Sequence, residues 1–463
     1  MTRPISIEEK VDSLFERIDN LEKEVTRLET ENIDLKNNVH QLTNRLAKYE
    51  TPKNSKNSNK PPSSDFPKQQ HTKSLREPSG KKPGGQLGHE GTTLRTVSTP
   101  DFIEAHSPFF CTCCGEDLTE QPGLFAGKRQ VIDIPPIVPI VTEHRLFDKR
   151  CKCGHLNQAS FPGGVTAPVS YGENVQALTA YLSTRQYLPV KRLSELLSDM
   201  FGLSVSTGGI DYILNKMQRK STVVYEYIRQ NVLRNNVIGA DETGVNINGK
   251  NNWAWTFQHD KATFIAIHPN RGLKAIETII PEGLQNNILV TDCWSSYFNT
   301  NAVSHQLCTA HLLRELVYLK EKYKSDTWAT RMSHLITGAL DLRRENKTTK
   351  ENVDQILNTF SNLIDEPLNP NMDDVIVFQK RMLKYSNYVF NFLLDTDIPP
   401  DNNGSERAIR NFKVKLKISN FFKSVQGAQV YATMRSVIDT AIKNNKNPIE
   451  IVRLIAQCHT ATE

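Results

Sequence analysis

Three acidic residues occupy positions from which a two-metal site can be built. Asp241 closes the apolar run 237–240, Asp292 closes the apolar run 288–291, and Glu406 opens a long basic segment. Carboxylates are the hard oxygen ligands that suit Mg²⁺. Two such ions about 3.5 to 4 Å apart neutralise charge on the attacking and leaving oxygens of a phosphodiester. The three acids are therefore candidate catalytic ligands for two Mg²⁺ ions.

The segments around the two aspartates predict the elements that position them. The sequence alternates after Asp241, turns at Asn248-Gly249 and alternates back, which predicts a β-hairpin. Further strands are predicted over 263–268 and 288–291, with a helix over 272–280 between them. The order β, β, β, α, β, with acids on the first and fourth strands, is that of a ribonuclease-H-like fold, in which those two strands are neighbours.

The segment that begins at Glu406 predicts a helix with one cationic face. Glu406, Arg410, Lys413 and Lys417 are spaced by 4, 3 and 4 residues, and Arg407 adds a further cation. On a helix, this spacing places a metal-binding carboxylate in line with cations that follow a phosphate backbone. The alternative is a capping box, with Asn403 at the N-cap and Glu406 closing the helix end.

A cluster of cysteines predicts a metal site of another kind. Five of the eight cysteines lie between Cys111 and Cys153, and in a reducing cytoplasm such clusters indicate metal ligation before disulfides. We predict one structural, tetrahedral Zn²⁺ site made by Cys111, Cys114, Cys151 and Cys153. Cys113 is then not one of the four ligands, and His155 is an alternative to one of them. The apolar run 131–141 predicts the β-structure of a zinc ribbon, and free thiols are the alternative.

The N-terminal 50 residues predict a coiled coil. The heptad a positions are Val11, Ile18, Val25 and Val39, and the d positions are Leu14, Leu21, Leu28, Leu35 and Leu42. This division between β-branched residues and leucine favours a parallel two-stranded coil, and Asn32 at the remaining a position favours one register. We therefore predict a homodimer or higher oligomer, with an intramolecular hairpin as the alternative.

The net charge, 57 − 51 = +6, is concentrated in one stretch. Residues 51–100 contain nine Lys or Arg and three Asp or Glu, and the pair Lys81-Lys82 lies within a Pro, Gly and Ser-rich context that cannot fold alone. A basic tether for the DNA backbone is predicted, with a plain linker as the alternative. No apolar run is long enough for a membrane span, which predicts a cytoplasmic, nucleoid-associated protein.

Two helices joined by a short turn are predicted within 170–230. Leucines at 193, 196 and 197 form one apolar face, Gly202 ends the helix, and a serine within 204–206 caps a second helix. This is the spacing of a helix-turn-helix DNA-binding unit. A generic helical pair is the alternative.

The chain resembles the insertion-sequence transposases of the IS66 type, which have a DDE catalytic core. The matching motifs are Asn57-Ser-Asn-Lys-Pro-Pro-Ser-Ser-Asp65, Lys82-Pro-Gly-Gly-Gln-Leu-Gly-His89, the Cys111/Cys114 pair, Asp241-Glu-Thr243, Thr291-Asp-Cys-Trp-Ser-Ser-Tyr297, Cys308-Thr-Ala-His-Leu-Leu-Arg314 and Asp401-Asn-Asn-Gly-Ser-Glu-Arg-Ala-Ile-Arg410. The resemblance implies that Asp241, Asp292 and Glu406 are the metal-binding triad. It also implies a helical insertion over about 315–395, terminal-inverted-repeat DNA as substrate and accessory proteins from the same element.

Five residues near the predicted site have more than one interpretation. Cys308 and His311 have metal-ligand spacing, but one helical turn with two ligands cannot enclose an ion. Structural packing is therefore favoured. The alternative is that His311 and Arg314 contact DNA or support the active site. Trp294 and Tyr297 are candidates for stacking on unpaired bases. Core packing is the alternative for both aromatic residues.

Together these patterns predict a multidomain α+β chain. The predicted units are a coiled-coil dimerisation helix (1–50), a basic linker (51–100), a zinc-ribbon-like domain (101–168), a helix-turn-helix-like DNA-binding region (169–232), a ribonuclease-H-like DDE domain (233–440) and a C-terminal helical tail (441–463). The predicted function is Mg²⁺-dependent 3′-end cleavage and strand transfer of double-stranded DNA, at the element ends and a target. The alternatives are a transposase-derived DNA-binding regulator and a structure-selective nuclease of the same fold.

Overall fold

A computed structural model describes residues 7–50, 53, 57, 94–324 and 327–458. The helices are α1 (Ile7–Glu50), α2 (Glu173–Thr184), α3 (Val190–Phe201), α4 (Thr207–Lys220), α5 (Thr222–Leu233), α6 (Leu273–Ile279), α7 (Ser295–Phe298), α8 (Thr309–Lys322), α9 (Trp328–Arg344), α10 (Lys350–Asp365), α11 (Asp373–Lys384), α12 (Asn391–Leu394), α13 (Asn403–Ser419), α14 (Val425–Lys443) and α15 (Pro448–Gln457). The strands are β1 (Lys149–Arg150), β2 (Leu156–Asn157), β3 (Val237–Ile247), β4 (Lys250–Gln258), β5 (Thr263–His268), β6 (Ile288–Thr291) and β7 (Ser304–Leu307).

A five-stranded mixed sheet organises the chain from residue 237 onward. Its strand order is β5-β4-β3-β6-β7, with antiparallel pairing among the first three strands and parallel pairing of β3 with β6 and of β6 with β7. The β3–β4 hairpin turns at Asn248-Gly249, where φ is +48° and +80°. Asn and Gly adopt positive φ most readily, so the predicted turn forms at the predicted residues.

Helices cover both faces of the sheet. Successive residues of a strand point to opposite faces, so one strand contributes side chains to two cores. Ile238 and Ala240 of β3 pack in a core with α2–α5, α14 and α15. Val237 faces the other way, into a second core with β7 and α8–α12. Val245 packs with Phe412 of α13 in a third cluster. Asp241 and Glu242, which lie in the middle of β3, therefore face different neighbours.

The helical region before the sheet has the boundaries that the sequence predicts. Helix α3 ends at Phe201, and Gly202 follows with φ +64°. Ser206 caps α4 by accepting a hydrogen bond of 3.0 Å from the backbone N–H of Gly209. Helix α15 packs its buried Val452, Ile455 and Ala456 into the same core, so this helix of the predicted C-terminal tail belongs to the core.

Residues 94–168 differ from the predicted zinc ribbon. The apolar run 131–141 forms no strand, and its side chains are largely exposed. Three prolines at 135, 136 and 139 remove ladder N–H donors, which explains why β-propensity fails there. The strands in this region are the two-residue pair β1 and β2, which flanks Cys151 and Cys153.

Among the described residues, no helix has both the length and the apolar composition that a membrane crossing requires.

Candidate active site

Strand pairing brings the first two acids together. Strands β3 and β6 are parallel with Gly239 opposite Val290, and two further residues along each strand lead to Asp241 and Asp292. Both acids share the strand parity of Val237 and Val290, whose side chains lie in the α8–α12 core. The two aspartates therefore lie next to each other, Asp241 inside β3 just beyond its last residue paired with β6, and Asp292 directly after β6. One oxygen of Asp292 accepts a hydrogen bond of 3.0 Å from the backbone N–H of Trp294, which orients this carboxylate.

The third acid is held near them by Asn402, which precedes α13. The Asn402 side-chain amide donates to the carbonyl of Ala240, the residue before Asp241, at 2.6 Å. Its backbone N–H donates to the sulfur of Cys308 at 3.2 Å, and the Ser405 hydroxyl donates to its side-chain oxygen at 2.7 Å. These contacts tie the first turn of α13 to β3 and to the end of β7, which places Glu406 beside the aspartates.

Two glycines allow this close approach. A Cβ atom on Gly239 would lie 2.5 Å from Gln258 Nε2, 2.6 Å from Asn402 Oδ1 and 2.8 Å from Ser405 Oγ. A Cβ on Gly404 would lie 2.5 Å from the same Gln258 nitrogen. The start of α13 can therefore rest on β3 and β4 because neither glycine carries a side chain.

The site concentrates negative charge. Burial raises the pKa of Asp241 well above its usual value, and the charges of Glu242, Asp292 and Glu406 raise it further. Among the described residues, no Lys, Arg or His forms an ion pair with Asp241 or Asp292. Buried carboxylates without cationic partners are costly, so this arrangement fits a bound cation.

Glu242 lies on the opposite face of β3 and is more buried than the sequence suggests. Its side chain is 3% exposed, pairs with Arg271 at 2.7 Å and accepts a hydrogen bond from the Tyr297 hydroxyl. Burial raises the pKa of Glu242, and the bonds from Tyr297 and Arg271 oppose that rise. The sequence places Glu242 on the strand face opposite Asp241, which predicts a surface or supporting residue, and its burial excludes the surface position. The sequence gives no sign that Tyr297 and Arg271 converge on it.

The two aromatic candidates have different environments. Tyr297 is 1% exposed and packs against Trp255 and Trp294, so a base cannot reach its ring, and core packing replaces the stacking role. Trp294 is half-buried and lies 4.3 Å from the guanidinium of Arg271, which also contacts Trp253 at 4.9 Å. Arg271 was not a sequence candidate, since a lone arginine in a loop carries no signal.

Glu406 makes side-chain contacts rather than closing its own helix. The N-cap of α13 is Asn402 and has no side-chain cap bond, so the predicted capping box is absent from this helix. Arg314 donates to Glu406 Oε1 at 3.0 Å, and His311 Nε2 lies 3.5 Å from the same oxygen. Burial is the main factor that lowers the pKa of His311, with the Arg314 charge acting in the same direction. His311 and Arg314 thus both lie at the third acid.

Helix α13 presents its cations to solvent beyond Glu406. Arg407, Arg410, Lys413 and Lys417 are exposed and form no ion pair with any described residue. The fifth basic side chain, Lys415, is buried over the ring of Tyr431, and burial lowers its pKa to about 8. Lys81 and Lys82 lie outside the described residues.

The clustered cysteines form two local turns. Gly115 and Gly154, at φ +77° and +91°, each donate a backbone hydrogen bond of 2.9 Å to the carbonyl of Cys111 or Cys151. Backbone N–H groups, chiefly those of Cys114 and Cys153 respectively, lower the pKa of the Cys111 and Cys151 thiols. Lowered thiol pKa values favour the thiolate that binds metal. The four predicted ligands do not converge within 4.8 Å in this structure.

Comparison with known proteins identifies the family. The profile of the IS66 transposase family matches residues 168–430, and that of the zinc-finger binding domain of IS66 transposase matches residues 109–154, which include all five clustered cysteines. A family of unknown function matches residues 8–95. A search of curated proteins finds no match. Because the transposase profile covers more than half of the 463 residues, the chain belongs to the IS66 family of transposases.

Proposed function

We propose that this transposase cleaves DNA at the 3′ ends of its element and joins those ends to target DNA, with Asp241, Asp292 and Glu406 as the catalytic acids. One observation carries the proposal. Asp241 and Asp292 lie next to each other where the parallel pairing of β3 with β6 ends, the start of α13 with Glu406 is hydrogen-bonded to β3 beside them, and the two strand acids have no cationic partner among the described residues. The ligand oxygens of the three acids do not all lie within 4.8 Å of one another in this structure.

The acids fit Mg²⁺ as ligands, since they are carboxylates in a buried, negatively charged setting. When two Mg²⁺ ions are bound, they supply charge neutralisation on the phosphate and lower the pKa of an attacking water or 3′-hydroxyl. Asn402 and the N–H of Trp294 orient the acids. Arg314, at 3.0 Å from Glu406, balances the charge of this acid.

The sheet supports a ribonuclease-H-like core. Strands β3 and β6, the first and fourth predicted strands, are neighbours in the order β5-β4-β3-β6-β7, as expected of such a fold. Helices α8–α12 fill the interval between the second and third acids and have their own core, as expected of a helical insertion near 315–395. The predicted division into coiled coil, linker, zinc unit, helical region and catalytic domain remains our proposed domain plan.

DNA contacts are proposed on two surfaces. The exposed residues Arg407, Arg410, Lys413 and Lys417 run along α13 away from Glu406, and exposed cations at helical spacing can follow a phosphate backbone. Helices α3 and α4 have helix-turn-helix spacing and make a second candidate for reading terminal repeats. The linker lysines Lys81 and Lys82 would add non-specific attraction.

Helix α1 supports assembly into a dimer. Leu14, Leu21, Leu28, Leu35 and Leu42 are between 50% and 64% exposed. A continuous stripe of exposed leucines at heptad spacing is stabilised when a second helix covers it. We therefore propose a parallel coiled-coil dimer, together with one structural Zn²⁺ held by Cys111, Cys114, Cys151 and Cys153. Accessory proteins of the same element remain part of the proposal.

The test is cleavage of DNA that carries the ends flanking this gene. We expect the wild-type chain to nick and join these ends with Mg²⁺. Asp292→Asn should bind the DNA but lose cleavage by at least about a thousandfold, because one carboxylate ligand of the Mg²⁺ ions is gone. The matched control is Asp260→Asn, an exposed acid on the same domain. An active Asp292→Asn variant would remove Asp292 from the site. Hydrolysis without joining would support a nuclease instead.

A further inference from the structure

A second set of ligand atoms meets beside the three acids. A sulfur from Cys308, a ring nitrogen from His311 and a carboxylate oxygen from Glu406 all lie within 4.8 Å of one another. Across the parts of the chain that the structure describes, this is the one group of three or more His, Cys, Asp or Glu residues that meets this spacing. Cys308 and His311 belong to the start of α8, and Glu406 to the first turn of α13.

We propose that Cys308, His311 and Glu406 form a binding site for a soft or borderline divalent cation of the zinc class. One sulfur, one nitrogen and one oxygen ligand suit Zn²⁺, Co²⁺ or Cd²⁺ and do not suit Mg²⁺, which takes oxygen ligands. Three protein ligands leave a fourth tetrahedral position open for water or substrate. The site is distinct from the cysteine turns of residues 109–154.

The surroundings of the three side chains support a bound cation. His311 Nδ1 is buried, and no hydrogen-bond partner for it exists among the described residues. A buried polar atom without a partner requires an explanation, and a missing ion is one of the recognised ones. The backbone N–H of Asn402 donates to the Cys308 sulfur at 3.2 Å. Hydrogen bonds of this kind hold ligands in place around metal sites.

Within the described part of the chain, Arg314 is the one Lys or Arg that pairs with Glu406, and it leaves room for an ion. Both the Arg314 and the His311 contacts run to Oε1 of Glu406. The second oxygen, Oε2, has no partner among the residues that the structure describes. A carboxylate offers about four lone-pair positions, so it can accept from a guanidinium and bind an ion at once.

Glu406 belongs both to this set and to the proposed catalytic triad. The new site does not depend on that triad, because Cys308 and His311 have no part in holding Mg²⁺ there. A binding experiment without DNA and without catalysis therefore tests it separately.

The experiment uses the purified full-length chain with its zinc left in place, titrated with Co²⁺ in excess Mg²⁺. We expect a near-ultraviolet absorption band from thiolate-to-cobalt charge transfer, because the Cys308 sulfur becomes a ligand. Cys308→Ser should abolish the band. His311→Gln should weaken Co²⁺ binding by at least about tenfold while the chain keeps its circular dichroism.

The matched control is Cys293→Ser, which removes another partly buried thiol close to Cys308 and should leave the band unchanged. The proposal is overturned if the wild-type chain shows no such band, or if the band persists in Cys308→Ser. If Cys308→Ser does not fold, the His311→Gln affinity decides, and an unchanged value also rejects the site.

Discussion

The five-stranded sheet with the candidate acids and the cysteine region are built in opposite ways. At the sheet, Asp241, Asp292 and Glu406 come from three elements, and long-range hydrogen bonds such as Asn402 to Ala240 fix their positions. In residues 94–168, the ordered contacts around Cys111 and Cys151 are local turns, and large apolar side chains remain exposed. A site inside a hydrophobic core is formed by the fold before any ion binds. A site made of local turns lacks such a core, so its stability must come from the metal.

The sharpest test of this difference is removal of a zinc ligand. Cys111→Ser should lose the bound Zn²⁺, whose binding in small zinc domains is worth about 10–16 kcal/mol, and residues 109–154 should become sensitive to protease. The unfolding midpoint of the catalytic core should not change, because its core clusters contain no residue from this region. Zinc by mass spectrometry, limited proteolysis and calorimetry measure these effects. A shifted core transition would show that the two regions fold together.

The next largest effect is expected from Gly239→Ala. Its Cβ would meet three side-chain atoms at 2.5–2.8 Å, so α13 must move from β3 or the side chains must shift. Overpacking of this kind costs about 1–3 kcal/mol, and chemical denaturation measures it. Gly338→Ala is the control, since nothing lies within 4 Å of its Cβ position and helix propensity favours alanine. Equal stabilities of the two variants would contradict the close packing.

Asp241→Asn should stabilise the metal-free chain. The pKa of Asp241 is raised in the folded state, so folding is favoured below the usual pKa of this group and that contribution is lost as pH rises through the raised pKa. Above the usual pKa of an aspartate, burial of this carboxyl group therefore opposes folding, and its replacement by a neutral amide should add about 0.5–2 kcal/mol. Thermal unfolding with a chelator, over a range of pH, measures this gain. Wild-type stability that does not fall over this range would contradict the buried charge.

The same variant should lose stabilisation by Mg²⁺. A ligand at a hundred times its dissociation constant stabilises a folded protein by about 2.7 kcal/mol. We expect the wild-type midpoint to rise with Mg²⁺ and that of Asp241→Asn to respond much less. Asp260→Asn, at an exposed position, should respond like the wild type.

The smallest effect is expected on α13. Lys413→Ala removes one exposed cation, which should weaken DNA binding uniformly across sequences and reduce the slope of log K against log salt by about 1. Lys446→Ala, an exposed lysine beyond α14, is the control and should leave the slope unchanged. Fluorescence anisotropy at several salt concentrations measures both. An unchanged slope in Lys413→Ala would separate this helix from the DNA path.

Much of the sheet follows from local pattern. The strands β5 and β6 and the Asn248-Gly249 turn lie where the sequence predicts them, because apolar runs and turn residues act over a few positions. Strand β7 was missed. Its His305 and Gln306 are polar but buried, and the Gln306 amide is satisfied by the carbonyls of Leu307 and Val389. Such compensation involves contacts from distant residues, and no local pattern reveals it.

The amino-acid sequence alone determined the types and the order of the functional residues: two acids at strand ends, a third at a helix start, and paired cysteines followed by glycines. Tertiary structure alone decided which side chains share a space. It placed Glu406 against His311 and Arg314, and Glu242 in a buried contact with Arg271. The physical reason is the distance along the chain over which each kind of interaction acts. Periodicity and turn chemistry act between near neighbours in the chain, whereas burial and ion pairing depend on residues that only folding brings together.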